Sequence, residues 1–255
     1  NYHDWKSIEI GTYQNYRLMG DIDFSGRNDV KLDVTIGRLD GNNKKIKNLD
    51  INLDGRNSGL IYMLRNSMDN VIFENISIIN TVNTNYIGII VKNTAEINNL
   101  KCTQISIEDK ENITGTGRGI IALNDGEISN LILDNITLKC IGSDKVGTVG
   151  ENYNNEKKIS NINAKDIKCF GKSYVGSICG LRGNIIYANV EKIYIEAMGD
   201  YVGGIAGYLD MQNDNISITN VVISGKNYVG GLFGDAGGKL INGDDIEVYG
   251  KNYVG

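Results

Sequence analysis

A short block centred on a glycine recurs along almost the whole chain, and this recurrence limits the fold more than any other feature. The clearest copies read YVGGIAG at 201–207 and YVGGLFG at 228–234. The central glycines are Gly59, Gly88, Gly119, Gly147, Gly176, Gly203, Gly230 and Gly255. Successive glycines are separated by 29, 31, 28, 29, 27, 27 and 25 residues. Self-similarity at such a period indicates a repeat array, and here we expect a solenoid.

A second recurring feature is an asparagine followed by an apolar residue. Its members are Asn48, Asn70, Asn99, Asn130, Asn161, Asn189 and Asn220. Apolar and polar residues then alternate, as at Ile76/Ile78 and Ile105/Ile107, which is the period of a strand with one buried face. Because no helical stretch of useful length separates these strands, we expect an all-β fold. The predicted fold class is a right-handed parallel β-helix of about eight coils. The right-handed sense is expected because crossover connections between parallel strands are predominantly right-handed.

The composition agrees with stacked coils. The chain has 38 Ile, 34 Asn and 32 Gly but no proline. Isoleucine favours strands, asparagine and glycine disfavour helices, and proline would remove a backbone donor from any interior coil. Asparagine repeated at one turn is expected to hydrogen-bond along the stack. Glycine at fixed positions indicates either a positive φ or a close backbone approach.

Leucine-rich repeats are the structural alternative because their period is similar. Their asparagine follows the apolar run, whereas in this chain it precedes the apolar residue. The Tyr-Val-Gly-Gly block has no place in that pattern either, so the β-helix is favoured.

The chain divides into two parts. Residues 1–39 lack the glycine block and are assigned to an N-terminal cap with its leading strands, because a solenoid needs an atypical end to cover its core. Residues 40–255 are assigned to the repeats. The last block stops within the motif at Gly255, so we expect the repeats to continue in a larger parent chain.

Residue types exclude several functional classes. His3 is the only histidine, so an HExxH zinc site cannot form in this segment, and no CxxC pair offers a structural zinc site. The net charge is −5 and the basic clusters are short, which argues against nucleic acid as a partner. The longest apolar run is too short to cross a bilayer. We therefore predict no catalysis, no cofactor, no metal and no membrane insertion for this segment.

Four tyrosines are the candidate binding residues, because they share one position of the repeat: Tyr174, Tyr201, Tyr228 and Tyr253. We expect them to form an aromatic stripe along the rod. Exposed aromatic stripes mark sugar- or protein-binding surfaces, whereas in-register stacking that only stabilises the rod is the structural alternative.

Two cysteines, Cys140 and Cys169, each precede an anchor glycine by seven residues. This equal offset predicts neighbours in adjacent coils, within reach of a disulfide. Buried free thiols are the favoured interpretation.

Three acidic pairs are candidate calcium ligands or acid–base pairs: Asp21/Asp23, Asp210/Asp214 and Asp244/Asp245. They keep open the alternative of a carbohydrate-active β-helix, a lyase or a hydrolase. The last two pairs have no aligned acidic partners in the preceding coils, so solvated turn residues are the favoured interpretation.

The glycine blocks resemble the GLUG motif, whose pattern is close to Tyr-Val-Gly-Gly-Leu-x-Gly. The match is best at 201–207 and 228–234, good at 174–180, and eroded around Gly59, Gly119 and Gly147. The leading segment, with DIDF at 21–24 and LDGNNKKIKNL at 39–49, also looks like the start of such repeat regions. The resemblance covers nearly the whole chain and is specific for architecture rather than for activity.

The resemblance implies an extracellular or bacterial cell-surface protein. GLUG repeats occur in large secreted or surface-attached bacterial proteins, including adhesin-like proteins and the non-catalytic N-terminal regions of IgA-cleaving zinc metallopeptidases. We therefore expect a structural or recognition module: a substrate-docking region of a metallopeptidase, or an adhesin stalk. Its partner would be a host protein or a host glycan.

Overall fold

The computed structural model describes residues 1–55, 58–154, 156–209, 214–236 and 242–255. It is a parallel β-solenoid of about eight turns, with 65% of the residues in strands and 2% in a helix. The all-β parallel solenoid is thus confirmed, while its right-handed sense stays a prediction. In the described part of the chain the coils contain no helix, which leucine-rich repeats would require.

One short helix is followed by 21 strands in the described part of the chain. In chain order these elements are α1 (Tyr2–Lys6), β1 (Asn15–Arg17), β2 (Ile22–Asp23), β3 (Val34–Asp40), β4 (Lys45–Leu53), β5 (Gly59–Asn80), β6 (Ile87–Asn93), β7 (Glu96–Asp109), β8 (Thr116–Asn124), β9 (Ile128–Lys139), β10 (Asp144–Val146), β11 (Val149–Asn152), β12 (Ile159–Gly171), β13 (Cys179–Leu181), β14 (Ile185–Ala197), β15 (Val202–Gly203), β16 (Ala206–Leu209), β17 (Asp214–Ser224), β18 (Asn227–Gly230), β19 (Phe233–Ala236), β20 (Asn242–Tyr249) and β21 (Asn252–Val254).

Strands of successive coils pair in parallel, so equivalent apolar residues stack in columns. One column is Leu49, Ile76, Ile105, Ile136, Ile167, Ile193, Val221 and Ile246. All of these side chains are buried except Ile246, which is half-buried. A slip of one residue would turn such a column to solvent, so the burial of one face sets the register.

The long strands bend twice in each coil, at residues with left-handed backbone. The first bend column is Asn43, Asn70, Asn99, Asn130, Asn161, Tyr187 and Asn215, and the second is Asn48, Asn75, Gln104, Asn135, Asp166, Lys192, Asn220 and Asp245. Their φ angles lie between 52° and 57°. Asparagine is favoured there because its short polar side chain tolerates this conformation.

This register corrects the predicted asparagine column. Asn48 and Asn220 belong to the second bend column, whereas Asn70, Asn99, Asn130 and Asn161 form the first. Asn189 belongs to neither column, because it lies in an extended part of β14, exposed and paired with Asn163. Two bends that both favour asparagine produce the same Asn-apolar pattern, and the pattern alone does not separate them.

Amide side chains do link neighbouring coils at these bends. Asn99 Nδ2 donates to Asn70 Oδ1 at 2.9 Å, and Asn161 Nδ2 donates to Asn130 Oδ1 at 3.2 Å. At the second bend Asn75 Nδ2 donates to Asn48 Oδ1 at 2.9 Å. Each bond ties one coil to the next outside the backbone ladder.

The anchor glycines lie in one column, and neighbouring backbone closely approaches every one of them except Gly255. Gly88 pairs with both Gly59 and Gly119, and none of the eight has a positive φ. A Cβ at Gly119 would collide with the carbonyl oxygen of Gly147. Of the two reasons for glycine at these positions, close approach is the one that applies.

A helix covers the first coil at the N-terminal end. In α1, Trp5 is buried and its ring meets Phe24 edge-on at 5.9 Å between centroids. Trp5 Nε1 also donates to the Lys31 carbonyl at 3.0 Å. The residue pattern of this segment predicted only strands and turns.

Candidate functional site

The four candidate tyrosines occupy one tight turn of the repeat, directly before the Val-Gly pair. Their φ angles lie between 52° and 60°, and Lys145 takes the same conformation at the equivalent place one coil earlier. The valines that follow pair in register, Val175 with Val202 and Val229 with Val254. The turn therefore projects each tyrosine from the same backbone geometry, and we call the four residues the tyrosine ladder.

The rings of the ladder stack face to face. Their centroids are separated by 4.9 Å from Tyr174 to Tyr201, by 4.8 Å from Tyr201 to Tyr228 and by 4.8 Å from Tyr228 to Tyr253. Interplanar angles are 4–5°. The separations match the coil spacing of about 4.8 Å, because identical turns repeat from coil to coil, and they lie within the range of stacked aromatic pairs.

Stacking decides which part of each tyrosine a partner can reach. The faces within the ladder cover one another, so a partner can reach only the hydroxyls and the edges, apart from the Tyr201 edge that Tyr208 covers. The first three tyrosines are half-buried, and Tyr253 is 72% exposed. None of the four hydroxyls bonds to a residue within the described ranges, where the hydroxyls of Tyr194 and Tyr249, by contrast, bond to glutamates.

The environment of Tyr201 favours the protonated form of its phenol. Desolvation raises the pKa of Tyr201, and the neighbouring Tyr174, Tyr228 and Asp235 raise it further. A protonated phenol both donates and accepts hydrogen bonds. The ladder therefore offers a row of bifunctional hydrogen-bonding groups.

A row of polar residues lies immediately before the tyrosines. Asp200 N donates to Ser173 Oγ at 3.1 Å. Asn227 Nδ2 donates to Asp200 Oδ1, and Asn252 Nδ2 donates to Asn227 Oδ1, both at 2.8 Å. These bonds hold one edge of the ladder in register.

A second row lies beside the ladder. Glu151, Leu181, Tyr208 and Asp235 occupy equivalent positions of successive coils. The Tyr208 ring meets the Tyr201 ring edge-on, with centroids 5.9 Å apart and planes at 87°. One edge of Tyr201 is therefore covered by protein.

In the coil before Tyr174, a lysine takes the position of the ladder tyrosines. It forms an ion pair that the sequence pattern did not predict. Lys145 Nζ lies 2.8 Å from Oε2 of the buried Glu151, and Tyr86 OH donates to the same oxygen at 3.3 Å. The Tyr86 ring lies over Gly117, the residue aligned with Lys145 in the preceding coil. The six-residue spacing of Lys145 and Glu151 is no recognised motif, so only the fold brings them together.

A buried polar network nearby was also not predicted. Arg118 is fully buried and its Nε lies 2.8 Å from Asp109 Oδ2. Its Nη1 and Nη2 donate to the carbonyl oxygens of Asn85 and Thr84 at 2.7 and 2.8 Å, and Ser143 Oγ donates to Asp109 at 2.6 Å. Because the guanidinium donors and the carboxylate are used within the protein, we assign this network to holding three turns together.

A second internal hydrogen-bond network is a ladder of buried asparagines. Asn93 Nδ2 donates to Asn124 Oδ1, and Asn124 Nδ2 donates to Asn152 Oδ1, both at 2.7 Å. The remaining amide hydrogens reach the Ala95 and Gly126 carbonyls at 3.0 and 2.7 Å. Buried polar groups are thus paired as stability requires.

The predicted cysteine pair does not lie in one column. Cys169 pairs with Leu138, and Cys140 lies two residues beyond Leu138. Cys102, Cys140 and Cys169 are buried free thiols. Burial raises the pKa of all three, which makes thiolate chemistry unfavourable. The equal offset from the glycine did not predict the register, because the turn between the strand and the glycine differs between these coils.

The acidic pairs serve local turns. Asp23 Oδ1 accepts from Ser25 and Asn48, which lowers the pKa of Asp23 to about 2, and Asp21 accepts from the Lys45 backbone at 3.0 Å. Asp244 and Asp245 are exposed, Asp245 at the second bend and Asp244 directly before it. Of the remaining pair, Asp214 is exposed and Asp210 lies outside the described residues. Within the described ranges no three His, Cys, Asp or Glu side chains are grouped to hold a metal ion.

Comparison with known proteins finds no relative: no family model matches the chain, and neither the curated proteins nor the solved structures give a match. In the part of the chain that the structure describes, no helix is long and apolar enough to cross a membrane.

Proposed function

We propose that this chain is a non-catalytic recognition module of a secreted or surface-anchored bacterial protein, in which a β-solenoid presents the tyrosine ladder to a host partner. The observation that carries the proposal is the row of phenolic hydroxyls that bond to no described residue. Two exposed tyrosines outside the ladder, Tyr194 and Tyr249, instead have their hydroxyls bonded to glutamates of their own strands.

The architecture supports a stiff carrier for such a row. Interior strands of the solenoid pair with the coils on both sides, and apolar columns run through the core. Repeats that contact only their neighbours form an extended surface rather than a pocket. A partner would meet equivalent groups on successive coils.

The bacterial surface location and the choice of parent protein are supported by the resemblance of the Tyr-Val-Gly-Gly blocks to GLUG repeats. The two candidate parents are a metallopeptidase that uses this segment to dock its substrate and an adhesin that uses it as a stalk. Peptide mapping of the native protein by mass spectrometry separates them. An HExxH motif elsewhere in the native chain identifies the peptidase, and further repeats with an anchoring signal identify the adhesin.

The recognition role is tested with the fluorescently labelled chain on mammalian epithelial cells, read by flow cytometry. The double variant Tyr201→Phe/Tyr228→Phe keeps both stacked rings and removes two hydroxyls. The matched control is Tyr62→Phe, because Tyr62 is 47% exposed and lies outside the ladder. We expect severalfold less bound fluorescence for the double variant and no change for the control, since each lost hydrogen bond weakens binding. Equal binding by the double variant and the unchanged chain would contradict the proposal.

A further inference from the structure

We infer that the tyrosine ladder and its flanking rows form a binding strip for an uncharged linear polysaccharide. This inference rests on the proposed recognition function and names its ligand class. The strip comprises the ladder, the row Ser173, Asp200, Asn227 and Asn252, and the row Glu151, Leu181, Tyr208 and Asp235.

The exposed groups of the ladder suit hydroxyl-rich ligands. The stacked faces at 4.8–4.9 Å are closed to an aromatic or aliphatic ligand. An aromatic ring is electropositive at its edge, so the exposed edges favour oxygen lone pairs. The phenols add donors and acceptors, and the Asn227 and Asn252 amides lie beside them. A ligand that itself carries many hydroxyls complements all of these groups.

The charges of the strip cancel. Lys145 is paired with Glu151 at 2.8 Å, and Lys172 lies 3.9 Å from Asp144. The other charged side chains of this turn and its flanks, within the described residues, are two lysines and two carboxylates: Lys226, Lys251, Asp200 and Asp235. A polyanion or a polycation would meet as many like charges as opposite ones, so the strip favours an uncharged polymer.

The backbone of the strip argues against an extended peptide. Peptides add to sheets through free edge groups, but in this turn the N–H groups bond to the next coil. Tyr174 N donates to the Asp200 carbonyl at 3.0 Å, and Tyr201 N donates to the Asn227 carbonyl at 3.1 Å. Recognition is left to side chains that repeat along the axis, which suits a polymer whose units repeat as well.

The inference is tested by affinity electrophoresis and isothermal titration calorimetry with the whole chain. The uncharged probes are dextran, glucomannan and hydroxyethylcellulose, and the charged probes are alginate, heparin and chitosan. We expect at least one uncharged probe to retard the chain. We also expect Tyr201→Phe/Tyr228→Phe to weaken that binding roughly tenfold, as the loss of two hydrogen bonds would, with Tyr62→Phe unchanged.

Circular dichroism of each variant confirms that the fold is retained. Binding only to charged probes, or to no uncharged probe, would overturn the inference. If cell binding still depends on the two hydroxyls in that case, the recognition function stands with a different ligand class. If cell binding does not depend on them, the recognition function fails as well.

Discussion

At the scale of single residues, left-handed backbone positions determine which side chains the coils accept. Asparagine fills most of the first bend column, whereas tyrosine fills the tight turn before Val-Gly. A left-handed residue other than glycine or asparagine costs roughly 1–2 kcal/mol. Each stacked pair of rings stabilises the fold by about 0.5–1.5 kcal/mol beyond the effect of the surface area that it buries. The four ladder tyrosines share three such contacts, so stacking offsets part of the cost of their conformation.

We expect an asparagine at a bend and an asparagine in extended strand to respond differently to substitution. We expect Asn99→Ala to lower the free energy of unfolding by about 1–2 kcal/mol, because alanine is strained at φ 56° and loses the bond to Asn70. The matched control is Asn189→Ala, an exposed residue in extended backbone, for which we expect a change within about 0.5 kcal/mol. Urea unfolding measures both, and equal losses would contradict the assignment of Asn99 to a bend and Asn189 to extended strand.

At the scale of elements, the turns and strands hold together through close contacts between backbones of neighbouring coils. At every anchor glycine except Gly255, there is no space for a side chain. This explains why the glycine block is the strongest signal in the sequence, although none of these glycines has a positive φ. Steric contact with neighbouring backbone, rather than a positive φ, therefore requires glycine at these positions.

This contact gives a second substitution test. We expect Gly119→Ala to destabilise the protein by about 3 kcal/mol, because its Cβ would collide with the Gly147 carbonyl oxygen. Gly20→Ala is the matched control, since no heavy atom lies within 4 Å of a Cβ there, and we expect almost no change. Thermal unfolding followed by circular dichroism compares the two. A Gly119→Ala protein as stable as the control would show that the coils relax without cost.

The contrast between glycine and asparagine also shows how far the sequence could predict the fold. The strand period, the repeat and the lack of proline were enough for a parallel solenoid. The sequence pattern predicted one asparagine column instead of two, because both bends favour asparagine, as at Asn70 and Asn75. The Lys145–Glu151 pair depends on contacts that only the folded coils create. A ladder hydroxyl bonds to a described carboxylate only if the folded chain brings the two groups within hydrogen-bond distance. The pattern of residue types does not contain that distance.

At the scale of the whole molecule, stability is distributed along one axis. Each coil contacts mainly the coils beside it, so a local defect is expected to act mostly on its neighbours. The N-terminal end differs because α1 and Trp5 close it.

Hydrogen exchange can measure this locality. Ile136 is fully buried between Ile105 and Ile167, and we expect Ile136→Ala to cost about 2–5 kcal/mol. Amide exchange should accelerate in β7, β9 and β12, while α1 and β2 keep their protection. A uniform acceleration over all described coils would mean that the solenoid opens as one cooperative unit.

The placement of the aromatic residues gives the first coil and the later coils separate optical signals. The single tryptophan, Trp5, is enclosed in the N-terminal cap, whereas the four parallel phenol rings lie in the later coils. Rings held this close and this parallel couple their electronic transitions, which produces a near-ultraviolet dichroic band that disappears when they separate. Tryptophan emission would therefore follow opening of the first coil and tyrosine dichroism opening of the later coils, so the order in which these coils open can be observed without adding a label.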